Sequence, residues 1–169
     1  YVKKLHAGGG TEMMPALTLA LGQSTTTGKV RQVIFVTDGS VGNETALLDY
    51  IKRHLKHSRL FTVGIGSAPN GYFMRKAAEY GQGSFTYIGK ISEVKTKMGE
   101  LFAKLENPVL TRIRIDWKGQ PVEDYPKYIP DLYLSEPLVI AARLPNLGGS
   151  AEITGWLDGK PWAVDFKLD

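Results

Sequence analysis

"VIFVTDGSVGNE" occupies Val33–Glu44, and its reading decides the fold. Val33–Val36 are four consecutive apolar residues. A run this short and this apolar predicts a strand buried on both faces, as in a parallel sheet with helices above and below. Asp38 and Gly39 then end it abruptly. A carboxylate at the mouth of a buried strand is costly unless something compensates it. Asp38 is therefore the first residue from which a function is expected.

The flanking sequence continues the pattern. Leu47, Tyr50, Ile51, His54 and Leu55 fall on one face of an amphipathic helix. Leu60–Gly64 is the next short apolar run, a second strand. In "NGYFMRKAAEYG" Phe73, Ala77 and Tyr80 share a helical face, and Gly81 suits the stop. Ser84–Ile88 reads as a third strand. Ile91, Val94, Met98, Leu101, Phe102 and Leu105 form a further helical stripe ahead of Pro108. Upstream, Met14, Leu17 and Leu21 predict a helix opened by Thr11, with Glu12 in its first turn. Helices alternating with strands over 11–106 predict right-handed βαβ units and a partial, doubly wound, Rossmann-like α/β parallel sheet.

After Pro108 the texture changes. Val109, Thr111, Ile113, Ile115 and Trp117 alternate with Arg112, Arg114 and Asp116. "PLVIAARL" and "SAEITGWL" read as further strands, and Asp158–Gly159 as a hairpin turn before "KPWAVDFKL". "GQPVEDYPKYIPDLY", with its prolines, reads as an irregular connection. The expected division is an α/β unit over 1–106 and a small antiparallel β unit over 107–169. Charge supports it. Residues 1–106 carry 14 Lys and Arg against 8 Asp and Glu, while residues 107–169 carry 7 against 9.

At 169 residues, 43% hydrophobic and 22% charged, the composition is that of an ordinary globular protein. No apolar run reaches the ~18 residues a bilayer requires, and no basic-then-apolar leader opens the sequence. With no cysteine, disulfides and thiolate metal sites are excluded. The basic cluster "IKRHLKHSRL" (Ile51–Leu60) lacks interleaved aromatics, so a solvated helix end explains it better than nucleic-acid binding.

Several motif-like stretches fail on spacing. "GQSTTTGKV" (Gly22–Val30) has five residues between its glycines and Val after the Lys, so it is not a phosphate-binding loop. "GIGSAPNG" (Gly64–Gly71) misplaces the third glycine of a dinucleotide loop. His6, His54 and His57 form no ligand spacing, and no nucleophile elbow or acid pair points to catalysis. "AGGGTEM" and "VTDGS" remain. In a parallel sheet the ligand crevice lies beyond the carboxyl ends of the strands. Asp38 sits at such an end, and Thr11 opens a helix expected at the same edge. A hydroxyl and a carboxylate facing one point suit a hard divalent cation such as Mg²⁺, and the glycines before Thr11 allow close backbone approach.

These residues resemble the von Willebrand factor A domain. "GGT" is similar to the second segment of that family's metal-ion-dependent adhesion site, and "VTDG" to the third. "FTVGIGSAPNGYFMRKAAEYGQGSFTYI" and the β unit behind it resemble the inter-alpha-trypsin inhibitor heavy-chain group. The family's first metal segment, Asp-x-Ser-x-Ser, is absent from this sequence. "DGSVG" at Asp38–Gly42 is a partial echo, and "DLYLS" at Asp131–Ser135 has Tyr in place of Ser. The chain thus looks like an A domain that begins midway.

The resemblance implies a binding module, not an enzyme, with Mg²⁺ ligated by Thr11 and Asp38 in the complete domain and held poorly by these residues alone. A ligand carboxylate on a partner protein would complete the ion's shell, with Gly10, Ser40 and Asn43 on the rim. It further implies an unpaired edge at Val33–Val36, covered by another chain, a swapped segment or the missing half. The implied setting is extracellular, periplasmic or membrane-anchored at the cell envelope. A metal-independent structural or interaction domain is the alternative.

Overall fold

In the computed structural model, which describes residues 12–22, 30–39, 42–67, 69–106, 108–133, 137–146, 148–157 and 159–168, the first half alternates as α1 (Met13–Gly22), β1 (Arg31–Thr37), α2 (Glu44–His54), β2 (Ser58–Ile65), α3 (Gly71–Tyr80), β3 (Phe85–Ile88) and α4 (Val94–Glu106). The three strands form a parallel sheet in the order β1-β2-β3. The expected α/β architecture is present.

The strand buried on both faces is β2, not the run Val33–Val36. Leu60 and Thr62 face one layer, Phe61 and Val63 the other, and all four are at most 1% exposed. On the first side α1, α2 and α3 contribute Leu17, Leu21, Leu47, Ile51, Phe73 and Met74 to one core. On the other, Leu101 and Leu105 of α4 pack with Phe61, Val63 and Ile88. Each fully buried Leu, Ile or Phe stabilises by about 1.5–3 kcal/mol relative to exposure. Among the described residues β1 pairs with β2 alone, so it stands at an edge, and Val36 is 50% exposed. Apolarity alone does not tell the central strand from its neighbour.

Gly81 does end α3, but not through a left-handed stop. Its φ is −76°. Its role is proximity: a Cβ there would lie 2.4 Å from the Leu60 Cβ, and one at Gly83 would lie 2.2 Å from the Leu60 carbonyl oxygen.

In the second half β4 (Pro108–Asp116), β5 (Glu123–Tyr125), β6 (Leu132–Tyr133), β7 (Ala141–Arg143), β8 (Ser150–Leu157) and β9 (Lys160–Lys167) pair antiparallel. One sheet has the order β6-β4-β8-β9, and β5 pairs with β7. The expected hairpin is present: Leu157 pairs with Lys160, and Gly159 in the turn takes φ 73°. Three expectations fail in detail. "PLVIAARL" pairs only over Ala141–Arg143, and the "irregular" connection holds β5 and β6. The simple alternation along β4 is broken by a bulge between Thr111 and Arg114, where Arg112 takes φ 54°. Leu110 and Ile113, three apart, are consequently both buried.

A buried ion pair joins the two halves. Arg59 of β2 donates from Nε and Nη2 to the Asp131 carboxylate at 2.7 and 2.9 Å, and the Arg112 N–H donates to Oδ1 at 3.2 Å. Arg59 is therefore not part of a solvated basic face, whereas Lys52, Arg53 and Lys56 are exposed as expected. His54 stacks on Tyr50, and His57 is exposed; His6 lies outside the described residues.

Candidate functional site at the sheet rim

The carboxyl ends of β1, β2 and β3 share one rim, because the strands are parallel and in register from Thr37↔Gly64 to Ile65↔Ile88. At the end of β1, Thr37 is buried and its Oγ1 accepts a hydrogen bond from the Gly39 N–H at 3.3 Å. That bond turns the chain sharply, and Asp38 projects outward. Asp38 is exposed, and its carboxylate has no hydrogen-bond or ion partner among the described residues. Because Asp38 is exposed, the burial cost expected from the sequence does not arise.

Asn43, at the far end of the same loop, takes φ 56°, ψ 44° and leads into α2 without a side-chain cap. It too is exposed. Asparagine tolerates this left-handed backbone better than most residues. Next to it, Glu44 accepts a hydrogen bond from Asn70 Nδ2, while Asn70 Oδ1 caps α3 through the Phe73 N–H at 3.0 Å. Asn70 thus ties the first turns of α2 and α3 together at the rim. Sequence reasoning singles out neither Asn70 nor Glu44. The signal it offers is an Asn immediately ahead of a helical run and a Glu in a first turn.

On the β3 side the Tyr87 hydroxyl donates to the Gly66 carbonyl at 2.9 Å, and the Gly66 N–H donates to Ile88 O at 2.9 Å. Glu93 accepts from Lys97 Nζ at 3.2 Å and from the Gly89 N–H at 3.0 Å. Lys97 first, and the Gly89 N–H second, hold the Glu93 carboxyl below its ordinary range.

Of the residues expected at a metal site, Asp38 lies on the rim, and Asn43 of the ligand edge lies on the same loop. Thr11, Gly10 and Ser40 lie outside the described residues. Among the described residues no group of three or more His, Cys, Asp or Glu is arranged so that it could hold a metal ion. Asp38 suits Mg²⁺ in its chemistry, a hard oxygen with no competing partner among the described residues. One carboxylate is short of an octahedral shell, so the fit depends on donors beyond the described residues.

Comparisons with known proteins bear on the whole chain. A von Willebrand factor A domain-containing protein of Dictyostelium discoideum is 28% identical over 161 residues, 94% of this chain and 17% of that protein. Such coverage carries the likeness through the antiparallel β unit. The protein mono-ADP-ribosyltransferase PARP4 of Homo sapiens is 27% identical over 123 residues, 69% of this chain and 7% of that protein. The chain thus spans a small part of the curated relatives it matches. Among solved structures, a von Willebrand factor type A protein from Catenulispora acidiphila superposes with a TM-score of 0.64 at 19% identity, covering 99% of this chain and 48% of that one. This last likeness concerns the fold. The model of the von Willebrand factor type A domain matches residues 1–87, more than half of the sequence. The chain belongs to the von Willebrand factor type A domain family, a family of general protein-interaction modules.

Proposed function

We propose that the chain is a metal-ion-dependent protein-binding module, not an enzyme, whose ligand site is the sheet rim at Asp38. The observation that supports this most is the exposed Asp38 carboxylate at the carboxyl end of β1, without a partner among the described residues. In this reading Asp38 and Thr11 hold Mg²⁺ together with an Asp-x-Ser-x-Ser segment supplied from outside residues 1–169. Mg²⁺ provides an open position for a carboxylate of a partner protein. Gly10, Ser40 and Asn43 form the edge against which that partner docks. Residues 1–106 act as the A unit and 107–169 as a β unit that follows it, as in the inter-alpha-trypsin inhibitor heavy-chain group. The setting is the cell exterior or envelope.

The experiment is thermal unfolding of the full-length protein with and without Mg²⁺. A site that binds only the native state raises Tm by mass action. Asp38→Ala is expected to abolish that rise and to leave the Mg²⁺-free Tm unchanged.

A second reading is a metal-independent interaction domain. It is favoured by the lack, among the described residues, of any group of three or more His, Cys, Asp or Glu arranged so that it could hold a metal ion. Equal Tm with and without Mg²⁺, in wild type and variant alike, selects it.

A further inference from the structure

The β unit carries a charged face on a different part of the molecule from the rim. Arg112 and Arg114 of β4 are both exposed. The β4 bulge and the left-handed backbone of Arg112 bring its guanidinium over the Trp156 ring, 5.4 Å from the centroid. Thr154 stands opposite Arg114, Ala163 opposite Thr154, and Pro161 opposite Trp156. The small residues leave a groove of about 470 Å³, walled by Arg112, Arg114, Trp156 and Trp162.

Arg112 and Arg114 also line a second cavity of about 290 Å³, which Lys56 and His57 close from the end of α2. Among the described residues neither lining includes an Asp or Glu. Arg59, which reaches the second cavity, is neutralised by Asp131. Arg114 and Lys56 have no carboxylate partner among the described residues. The two cavities share Arg112 and Arg114, and together they form a positive surface with no carboxylate partner among the described residues and with Trp156 beside it.

The same face changes sign one row further along. Asp116, Glu152 and Asp165 stand in register across β4, β8 and β9. They surround a single ammonium, Lys118 Nζ, at 3.9, 2.9 and 4.0 Å. Three carboxylates to one cation leave that row negative. A long polyphosphate running along the strands would meet it and be repelled. A short acidic segment would end before it.

We propose that the groove formed by Arg112, Arg114, Trp156, Trp162, Lys56 and His57 docks a short acidic segment of a partner protein. Carboxylates of that segment pair with the arginine forks, for which their geometry is suited. An apolar or aromatic side chain of the segment sets against Trp156, tryptophan being a residue type that often anchors interfaces. No metal at the rim is needed for this contact, so it stands or falls separately from the Asp38 site.

Fluorescence anisotropy on the intact protein tests it, using a labelled peptide of alternating glutamate and tyrosine, its glutamine counterpart and an oligothymidylate. The acidic peptide is expected to bind, to weaken as salt is raised, and to lose at least about tenfold in affinity with Arg112→Glu plus Arg114→Glu. Lys56→Glu, on a different element, is expected to weaken it too, whereas Lys95→Glu on the exposed side of α4 leaves it unchanged. Circular dichroism establishes that each variant is folded. Unchanged affinity in the folded charge-reversal variants, equal binding of the glutamine peptide, no binding of the acidic one, or tighter binding of the oligothymidylate would overturn the proposal.

Discussion

Arg59 and Asp131 meet as a two-pronged ion pair, at 2.7 and 2.9 Å, with both residues 5% exposed. One lies on the central strand of the parallel sheet and the other immediately before β6. Asp131 also accepts the Arg112 N–H, so a single carboxylate fixes β2 to the bulge of β4. Removing one partner strands the other charge in a buried site, which typically costs about 3–5 kcal/mol. Asp131→Ala is expected to destabilise by that amount in urea melts. Arg59→Met combined with Asp131→Leu is expected to recover most of it, since replacing both charges removes the stranded one. A loss under about 1 kcal/mol for Asp131→Ala would show that the pair behaves as a surface contact.

The glycines of the turn after α3 are set by contact rather than by backbone freedom. Gly81 has an ordinary φ, yet a Cβ there would sit 2.4 Å from the Leu60 Cβ. Gly81→Ala is therefore expected to cost about 1–3 kcal/mol through overpacking against β2. Gly99→Ala in α4, where nothing lies within 4 Å, is expected to be neutral or stabilising. Chemical denaturation of the two variants side by side checks the contrast.

Asp124 provides a pH handle. The Trp117 indole N–H, at 3.1 Å, is the main group holding its carboxyl below the ordinary range, with Lys127 at 3.3 Å adding to it and desolvation opposing both. A carboxyl depressed in the native state contributes stability that is present above its unfolded pKa of about 3.9 and is lost as pH falls through the lower folded value. The urea midpoint of wild type is expected to fall more steeply below that pH than the midpoint of Asp124→Asn. Parallel acid limbs would remove Asp124 from the account.

The edge position of β1 among the described strands makes a prediction about association. Among the described residues β1 pairs with β2 alone, and Val36 is half exposed. An unprotected strand edge templates pairing with another chain, and an added lysine blunts it. Light scattering is expected to show self-association of a polypeptide spanning residues 1–169, reduced by Val36→Lys. A monodisperse monomer with full native helicity would count against an open edge.

Much of the fold is legible in the sequence, and the failures share a cause. The helical stripes of Leu47–Ile51 and Phe73–Ala77 report directly which face is buried, because a helix samples the core every turn. The order of helices and strands therefore emerges with the right topology. Which strand lies at the centre does not, because Val33–Val36 is wholly apolar whereas Leu60–Gly64, the run that is buried, includes Thr62. The β4 bulge is hidden because alternation on either side of Arg112 looks regular until the partner strand is known. Arg59 reads as one more cation of a basic run, since its partner lies 72 positions away. At the rim, Asp38 is a strand-end acid as expected, but its exposure removes the cost of burial as a reason for a ligand. The family likeness, and the lack of a partner for its carboxylate among the described residues, carry its case instead.

The most direct measurement is magnesium titration calorimetry on the full-length protein and its Asp38→Ala variant, with circular dichroism as a fold control. The account expects a saturable heat in wild type that disappears in a variant whose spectrum and Mg²⁺-free Tm are unchanged, as befits an exposed position. The same binding heat in both proteins would contradict it.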